Sequence, residues 1–157
     1  MFRKVMVPLD GSELAECALP YVKQMAKEGT AGSIVFLSVV SLAIPVVNIP
    51  AYDMPLDQGS YFQTFLQRTL DESRSYLDRV QSQFKSEGIT ADTVVLEGGK
   101  AAERITEFAH ENGVDLIVMA THGYTGLKKM LIGSVAFAVL HEAHVPVLLI
   151  RPESCRA

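Results

Sequence analysis

Cysteine is scarce: Cys17 and Cys155 are the whole supply in 157 residues. Two thiols so far apart make neither a disulfide framework nor a metal cluster, and they read as free thiols of a reducing compartment. Positive charge is also short. Fourteen Lys and Arg against eighteen Asp and Glu leave a net charge of -4, which counts against a nucleic-acid partner held by phosphate neutralisation. It does not count against a local anion site, because backbone N–H groups hold phosphate without adding to net charge. The longest apolar stretch, Ile34 to Val47, is interrupted by Ser38, Ser41 and Pro45. It falls short of the ~20 residues a membrane helix needs. The opening Met1-Phe2-Arg3-Lys4-Val5-Met6-Val7-Pro8 has neither the apolar core nor the cleavage site of a signal peptide. Internal repeats and low-complexity tracts are missing too. The expectation is a soluble cytoplasmic protein without membrane or nucleic-acid partners.

What is present is alternation. The length suits one domain, expected over 1–152 with a short tail at 153–157. Phe2–Val7 is a compact apolar run, followed by the turn formers Pro8-Leu9-Asp10-Gly11-Ser12. A helix is expected from Glu13 to Lys27, with Leu14, Cys17, Ala18, Tyr21 and Met25 on one stripe and Gly29 and Gly32 at its end. Ile34–Val40 reads as a second strand. Ser41–Ser60 carries Pro45, Pro50, Pro55 and Gly59 and reads as a long loop on the ligand side of the sheet. A long helix, Tyr61 to Glu87, shows the stripe Phe62, Leu66, Leu70, Leu77, Val80 and Phe84, with Gly88 as its cap. Thr90–Leu96 is the third strand. Ala101–Asn112 is helical with Ile105, Phe108 and Ala109 inward and Gly113 as its stop. Leu116–Ala120 has no polar alternation, the pattern of a strand buried on both faces. Ser134–His144 reads as the last helix and Val145–Ile150 as the fifth strand. Strands alternating with helices imply a parallel sheet with right-handed crossovers, hence a three-layer α/β sandwich. Ligands of such sheets bind beyond the carboxyl ends of the strands, where strand order reverses.

The fourth strand empties into Met119-Ala120-Thr121-His122-Gly123-Tyr124-Thr125-Gly126, and Gly133-Ser134 stands just before the last helix. Free N–H groups and a hydroxyl at the positive end of a helix dipole make an anion site. Simple capping by Ser134 accounts for the same residues, and the spacing alone leaves both open. No Walker A sequence is present, and the first strand is not followed by G-x-G-x-x-G.

Three segments resemble the universal stress protein family, in its ATP-binding branch: Val7-Pro8-Leu9-Asp10-Gly11-Ser12, Val114–Gly123, and Gly133-Ser134-Val135 with the terminal Val145–Ile150. The family's phosphate motif G-x2-G-x9-G-(S/T) falls on Ala120, Gly123, Gly133 and Ser134 with its spacing intact. Ala120 departs from it, standing where the first glycine would be. A methyl group there crowds the phosphates if the backbone needs positive φ. The resemblance implies an adenine-nucleotide α-hydrolase-like fold, a five-stranded parallel sheet of order 3-2-1-4-5. It implies ATP or another adenine nucleotide as ligand, with Mg2+ on the phosphates. Asp10 then accepts hydrogen bonds from the nucleoside, although Asp10-Gly11-Ser12-Glu13 also reads as the start of a capping box. Pro8 and Val39 would flank adenine, and Met119 and Ala120 would offer backbone to the sugar and phosphate. Gly123, Gly133, Ser134 and Val135 would surround the phosphates, and Gly133→Val is expected to block them without loss of the fold.

Lys128 and Lys129 in the spacer read as solvated loop cations. His122 has the chemistry of a general base, but no partnering carboxylate is evident. No activator for an attacking water stands out, so a binding protein is expected rather than an enzyme, with slow ATP hydrolysis left open. An apolar fifth strand at the edge of such a sheet would pair across a two-fold axis. A homodimer through Val145 to Ile150 follows, with effector function in a separate partner. The alternative is a nucleotide-free dimeric interaction module of the same fold. A phosphoacceptor receiver is disfavoured, because the third strand ends Val95-Leu96-Glu97-Gly98-Gly99 without the needed aspartate.

Overall fold

The computed structural model describes residues 1–41, 58–122 and 132–151. Gly123, Lys128, Lys129, Cys155, most of the 41–60 loop and the 153–157 tail lie outside them. The elements run β1 (Phe2–Pro8), α1 (Glu13–Glu16), α2 (Leu19–Lys27), β2 (Ala31–Val40), α3 (Gln58–Ser86), β3 (Asp92–Glu97), α4 (Ala101–Glu111), β4 (Leu116–Ala120), α5 (Ser134–Glu142) and β5 (Val147–Ile150). All strand pairs are parallel, and their order is β3-β2-β1-β4-β5.

Alternation along the strands divides the core. Val5, Val7, Ile34, Phe36 and Val118 face α1, α2 and α3, while Met6, Val35, Leu37, Ile117 and Met119 face α4 and α5. Phe36 meets Phe84 of α3 edge to face with centroids 4.8 Å apart, a contact that adds about 0.5–1.5 kcal/mol beyond the burial itself. β4 is buried at every residue.

Several expected boundaries move. The first helix is two helices, because Pro20 stands in the first turn of α2 and cannot continue the ladder from α1. The break turns Ala15, Leu19 and Val22 inward beside Cys17 and Ala18 of the expected stripe, which are buried as expected, while Tyr21 is left 38% exposed. Gly32 lies inside β2, where a Cβ would sit 2.8 Å from the Arg3 carbonyl oxygen; glycine admits that approach. β3 starts at Asp92 rather than Thr90. α3 starts at Gln58, three positions early, and Phe62 and Leu66 are only half-buried. Its core begins at Leu70. α5 stops at Glu142, and β5 starts at Val147 rather than Val145. Pro146 has no donor for the ladder, though its carbonyl takes the Ile117 N–H at 3.0 Å. The helix stops at Gly29, Gly88 and Gly113 stand as expected, all with positive φ.

β1 is tied to β4 at its start by Asp115. Its carboxylate accepts the Arg3 N–H at 2.8 Å and the Lys4 N–H at 2.9 Å. Burial pushes this carboxyl up, but those two bonds and the Arg3 charge outweigh it and hold it below the usual range. Its stabilisation is therefore complete above the ordinary carboxylate pKa and is lost as pH falls through the lowered value. Asp115→Ala is expected to cost about 1 kcal/mol at neutral pH, screening by solvent included. In thermal unfolding the gap from wild type should close on acidification below the ordinary carboxylate range. A gap independent of pH contradicts this account.

Candidate functional site

The two halves of the sheet separate where strand order reverses. β1 pairs with β4 only at Val5–Leu116 and Met6–Ile117, whereas β1 continues beside β2 to Pro8–Leu37 and β4 beside β5 to Ala120–Ile150. Leu9 sends its N–H to Leu37 of β2 at 2.8 Å. By strand alternation, Pro8 then turns its donor-less nitrogen toward β4. Nothing obliges the two strands to stay paired there, and a cleft opens between their carboxyl ends.

That cleft has a volume of about 280 Å3, at the lower edge of the ~300–1,000 Å3 usual for small-molecule sites. Pro8, Asp10, Val39, Met119, Ala120, Gly133, Ser134 and Val135 all line it. Gly123 lies outside the described residues. The structure adds lining residues that the sequence pattern does not single out, among them Ala101 and Ile105 of α4 and Thr121 beyond β4. A larger groove, about 1030 Å3, runs along α3 past Gln67, Asp71 and Glu97. Apart from Glu97 of β3 it is lined by one face of α3, and none of the motif residues reaches it.

The cleft has two polar poles on an apolar floor. At one, Asp10 Oδ1 accepts the Ser12 N–H at 2.9 Å and the Ser12 hydroxyl at 2.6 Å. Ser12, not Asp10, is the N-cap of α1, its Oγ accepting the Ala15 N–H at 3.1 Å. Asp10 is thus an Asx-turn residue held at the cleft edge, and the capping-box alternative assigns it the wrong position.

At the other pole, Gly133 is the N-cap of α5 and makes no side-chain cap, so Ser134 is the first helical residue and not the cap. Gly133 sends its own N–H to the Thr121 carbonyl at 2.6 Å, which pins the helix start against the end of β4. The next three amides, Ser134 to Ala136, have neither an intrahelical partner nor a capping side chain. The Ser134 hydroxyl makes no hydrogen bond among the described residues. Ala120 lies in the extended β4 strand and no described non-glycine residue has positive φ, so the strain envisaged for a methyl group there does not arise.

Behind Asp10 stands Tyr76 of α3, 9% exposed. Its hydroxyl meets no partner in hydrogen-bond geometry. Burial first, then the neighbouring Glu16 carboxylate, through its charge and as a hydrogen-bond acceptor, and then the charge of Asp10 push the phenol well above its usual range. A buried hydroxyl left unpaired costs more than it returns. Tyr76→Phe is therefore expected to raise stability by up to about 1 kcal/mol in chemical denaturation. A loss of that size would show that the hydroxyl bonds Glu16 in solution.

Residues 1–151 match the model of the universal stress protein family. The universal stress protein MJ0531 of Methanocaldococcus jannaschii is 35% identical over 151 residues, covering 96% of this chain and 83% of that protein. The solved structure of MJ0577 from the same organism has a TM-score of 0.80 at 26% identity and covers 96% of both chains. Two more distant structures share the fold. One is a universal stress protein in complex with cAMP (TM-score 0.61, 20% identity, 96% of this chain and 98% of that one). The other is a family protein from Arabidopsis thaliana with AMP bound (TM-score 0.64, 16% identity, 94% and 90%). With a family match over nearly its full length and the sheet order that goes with it, this chain belongs to the universal stress protein family.

Proposed function

We propose that the protein binds an adenine nucleotide, ATP foremost, in the cleft between β1 and β4. In this reading it acts as a dimeric regulator in stress response whose nucleotide state is read by a separate effector protein. The observation that carries the proposal is the convergence on one cleft of a carboxylate and an uncapped helix terminus across an apolar floor. Pro8 and Val39 supply flat apolar contact for adenine. Asp10 accepts hydrogen bonds from the nucleoside. Met119 and Ala120 offer backbone along the sugar, and the amides of Ser134 and Val135 with the serine hydroxyl receive phosphate at the positive end of α5. Neighbours of this fold that hold cAMP and AMP support the ligand class.

Mg2+ fits as a companion of the phosphates rather than as a resident ion. Among the described residues no group of three His, Cys, Asp or Glu could hold a metal, and Mg2+ is usually held by substrate phosphates and few protein ligands. The nucleotide-free alternative draws on Ala120, and the extended backbone there supports binding instead. Mass spectrometry of the ligand released from purified protein tests the proposal. Adenine nucleotide is expected, either co-purified or retained after soaking in ATP. Its absence in both preparations overturns the assignment.

The dimer has its own support. β5 is an edge strand, Leu148 on it is 39% exposed, and Phe137 and Leu140 of the adjoining α5 are 62% and 46% exposed. Apolar surface beside an unpaired edge is an association surface. Sedimentation at micromolar concentration should give a dimer that Leu148→Asp dissociates. A wild-type monomer contradicts it.

A further inference from the structure

The proposed dimer uses one edge of the sheet, β5, and leaves the other open. That other edge is β3, which pairs with β2 alone among the described residues. One bond fixes which way its backbone groups point. Gly98, just past β3, sends its N–H to the Val40 carbonyl of β2 at 2.9 Å. By strand alternation Leu96, Val94 and Asp92 also turn to β2, while Thr93, Val95 and Glu97 turn their N–H and C=O groups outward. Ala91 falls in the outward set, and its carbonyl takes the Gln81 side-chain amide of α3 at 2.6 Å. That bond closes the start of the edge. From Thr93 to Glu97 the outward groups meet no backbone partner among the described residues.

The side chains along this edge favour an incoming strand. Val95 packs half-buried against one half of the core, and Val94 and Leu96 against the other. A further strand would complete their burial on both faces of the sheet. Lysine and proline, which commonly blunt an edge, are absent from Asp92–Glu97. Charge sits only at the two ends, on Asp92 and Glu97, both exposed. Neither has an ion-pair partner among the described residues, and Lys100 beyond the strand is paired with Glu103 at 3.1 Å. The acidic ends also select the occupant. Two copies joined antiparallel along β3 would bring Asp92 of one near Glu97 of the other, like charge against like. A strand with a basic residue at each end meets a carboxylate at each end, in either direction.

We propose that the open edge of β3 is a docking surface for an extended segment of a separate protein, apolar in its middle and basic at its ends, which adds to the sheet as a further strand. Backbone bonds to Thr93, Val95 and Glu97 supply the affinity, and the carboxylates of Asp92 and Glu97 supply the selectivity. The inference is independent of nucleotide binding, because β3 lies on the far side of β2 from the cleft between β1 and β4.

The probe is a labelled, end-blocked peptide, Lys-Val-Thr-Val-Thr-Lys, titrated into the full chain. Fluorescence anisotropy reads binding, and hydrogen exchange by NMR reads the β3 amides. The peptide should bind and slow exchange at Thr93 and Val95. Glu-Val-Thr-Val-Thr-Glu should bind about tenfold more weakly, and the double variant Asp92→Lys, Glu97→Lys should reverse that preference. Lys-Val-Pro-Val-Thr-Lys keeps the charges but lacks a central donor, and it should also bind about tenfold more weakly. Equal binding of the proline peptide would mean charge attraction without strand addition and overturns the inference. An unchanged preference in the double variant does so as well. Slow exchange at Thr93 and Val95 in the protein alone would show the edge already taken, by the chain itself or by a second copy, and overturns it. Absence of binding up to about 1 mM peptide has the same force.

Discussion

Replacing Asp10 by alanine is expected to weaken ATP binding by about ten- to a hundredfold, the loss of a hydrogen bond to a charged acceptor in a partly enclosed site. The structure requires a control for this experiment. Asp10 Oδ1 also accepts from the Ser12 N–H and hydroxyl, and Ser12 caps α1, so the variant loosens a turn as well as a ligand contact. Ser12→Ala separates the two. It removes the cap, at about 1 kcal/mol of stability, while leaving the Asp10 carboxylate in the cleft. The expected pattern is a small stability loss in both variants and a large affinity loss only in Asp10→Ala. Equal affinity losses would return Asp10 to a purely local structural role.

Gly133→Val should abolish measurable ATP binding, and the structure changes what else it should do. Gly133 has φ -68° and ψ 158°, a conformation open to any residue, so the need for glycine is one of space. A Cβ would stand 3.0 Å from the Thr121 carbonyl oxygen, in backbone packing that the 2.6 Å Gly133–Thr121 hydrogen bond sets. A valine therefore pushes the start of α5 away from β4 and misaims the amides that would meet phosphate. Loss of binding should come with a stability loss of about 1–3 kcal/mol, a cost the expectation of an intact fold did not include. Ser134→Ala is the cleaner companion. Its hydroxyl makes no hydrogen bond among the described residues, so stability should hold while ATP affinity falls by a few fold. Unimpaired binding in Gly133→Val would move the phosphate site elsewhere.

The sequence is most legible where one physical effect dominates. Leu116–Ala120 reads as a doubly buried strand to the residue, because a continuous apolar run in a parallel sheet has no other use. Strand order is a different matter. Periodicity supplies the alternation, and the order came with the family resemblance carried by the spaced glycines. Misreadings cluster where two effects compete. Pro20 sits in a sequence otherwise of helical period, and its missing N–H divides one expected helix into two. Gly32 looks like punctuation but lies in a strand that crowds Arg3. Pro146 belongs to an apolar run yet delays β5. Local pattern cannot decide such cases, because the deciding partner is distant in sequence.

The same limit applies to the cleft. Pro8, Asp10, Val39 and the residues flanking β4 are recognisable from motif context. Ala101 and Ile105 of α4 and Thr121, the residue after β4, join them only in three dimensions. Thr121 carries no motif signal, and neither does the 2.9 Å approach of its Oγ1 to His122 Nδ1. The stabilising frame and the candidate site are also separable. Asp115 fastens β1 to β4 at the amino ends of the strands, whereas the carboxyl ends of the same pair part to form the cleft.

A crystal structure determined with ATP decides whether the cleft between β1 and β4 holds the nucleotide. Density is expected for adenine between Pro8 and Val39, with the ribose within hydrogen-bond distance of Asp10 and phosphate oxygens on the amides of Ser134 and Val135. An empty cleft at saturating ATP, or nucleotide bound at another surface, would contradict it.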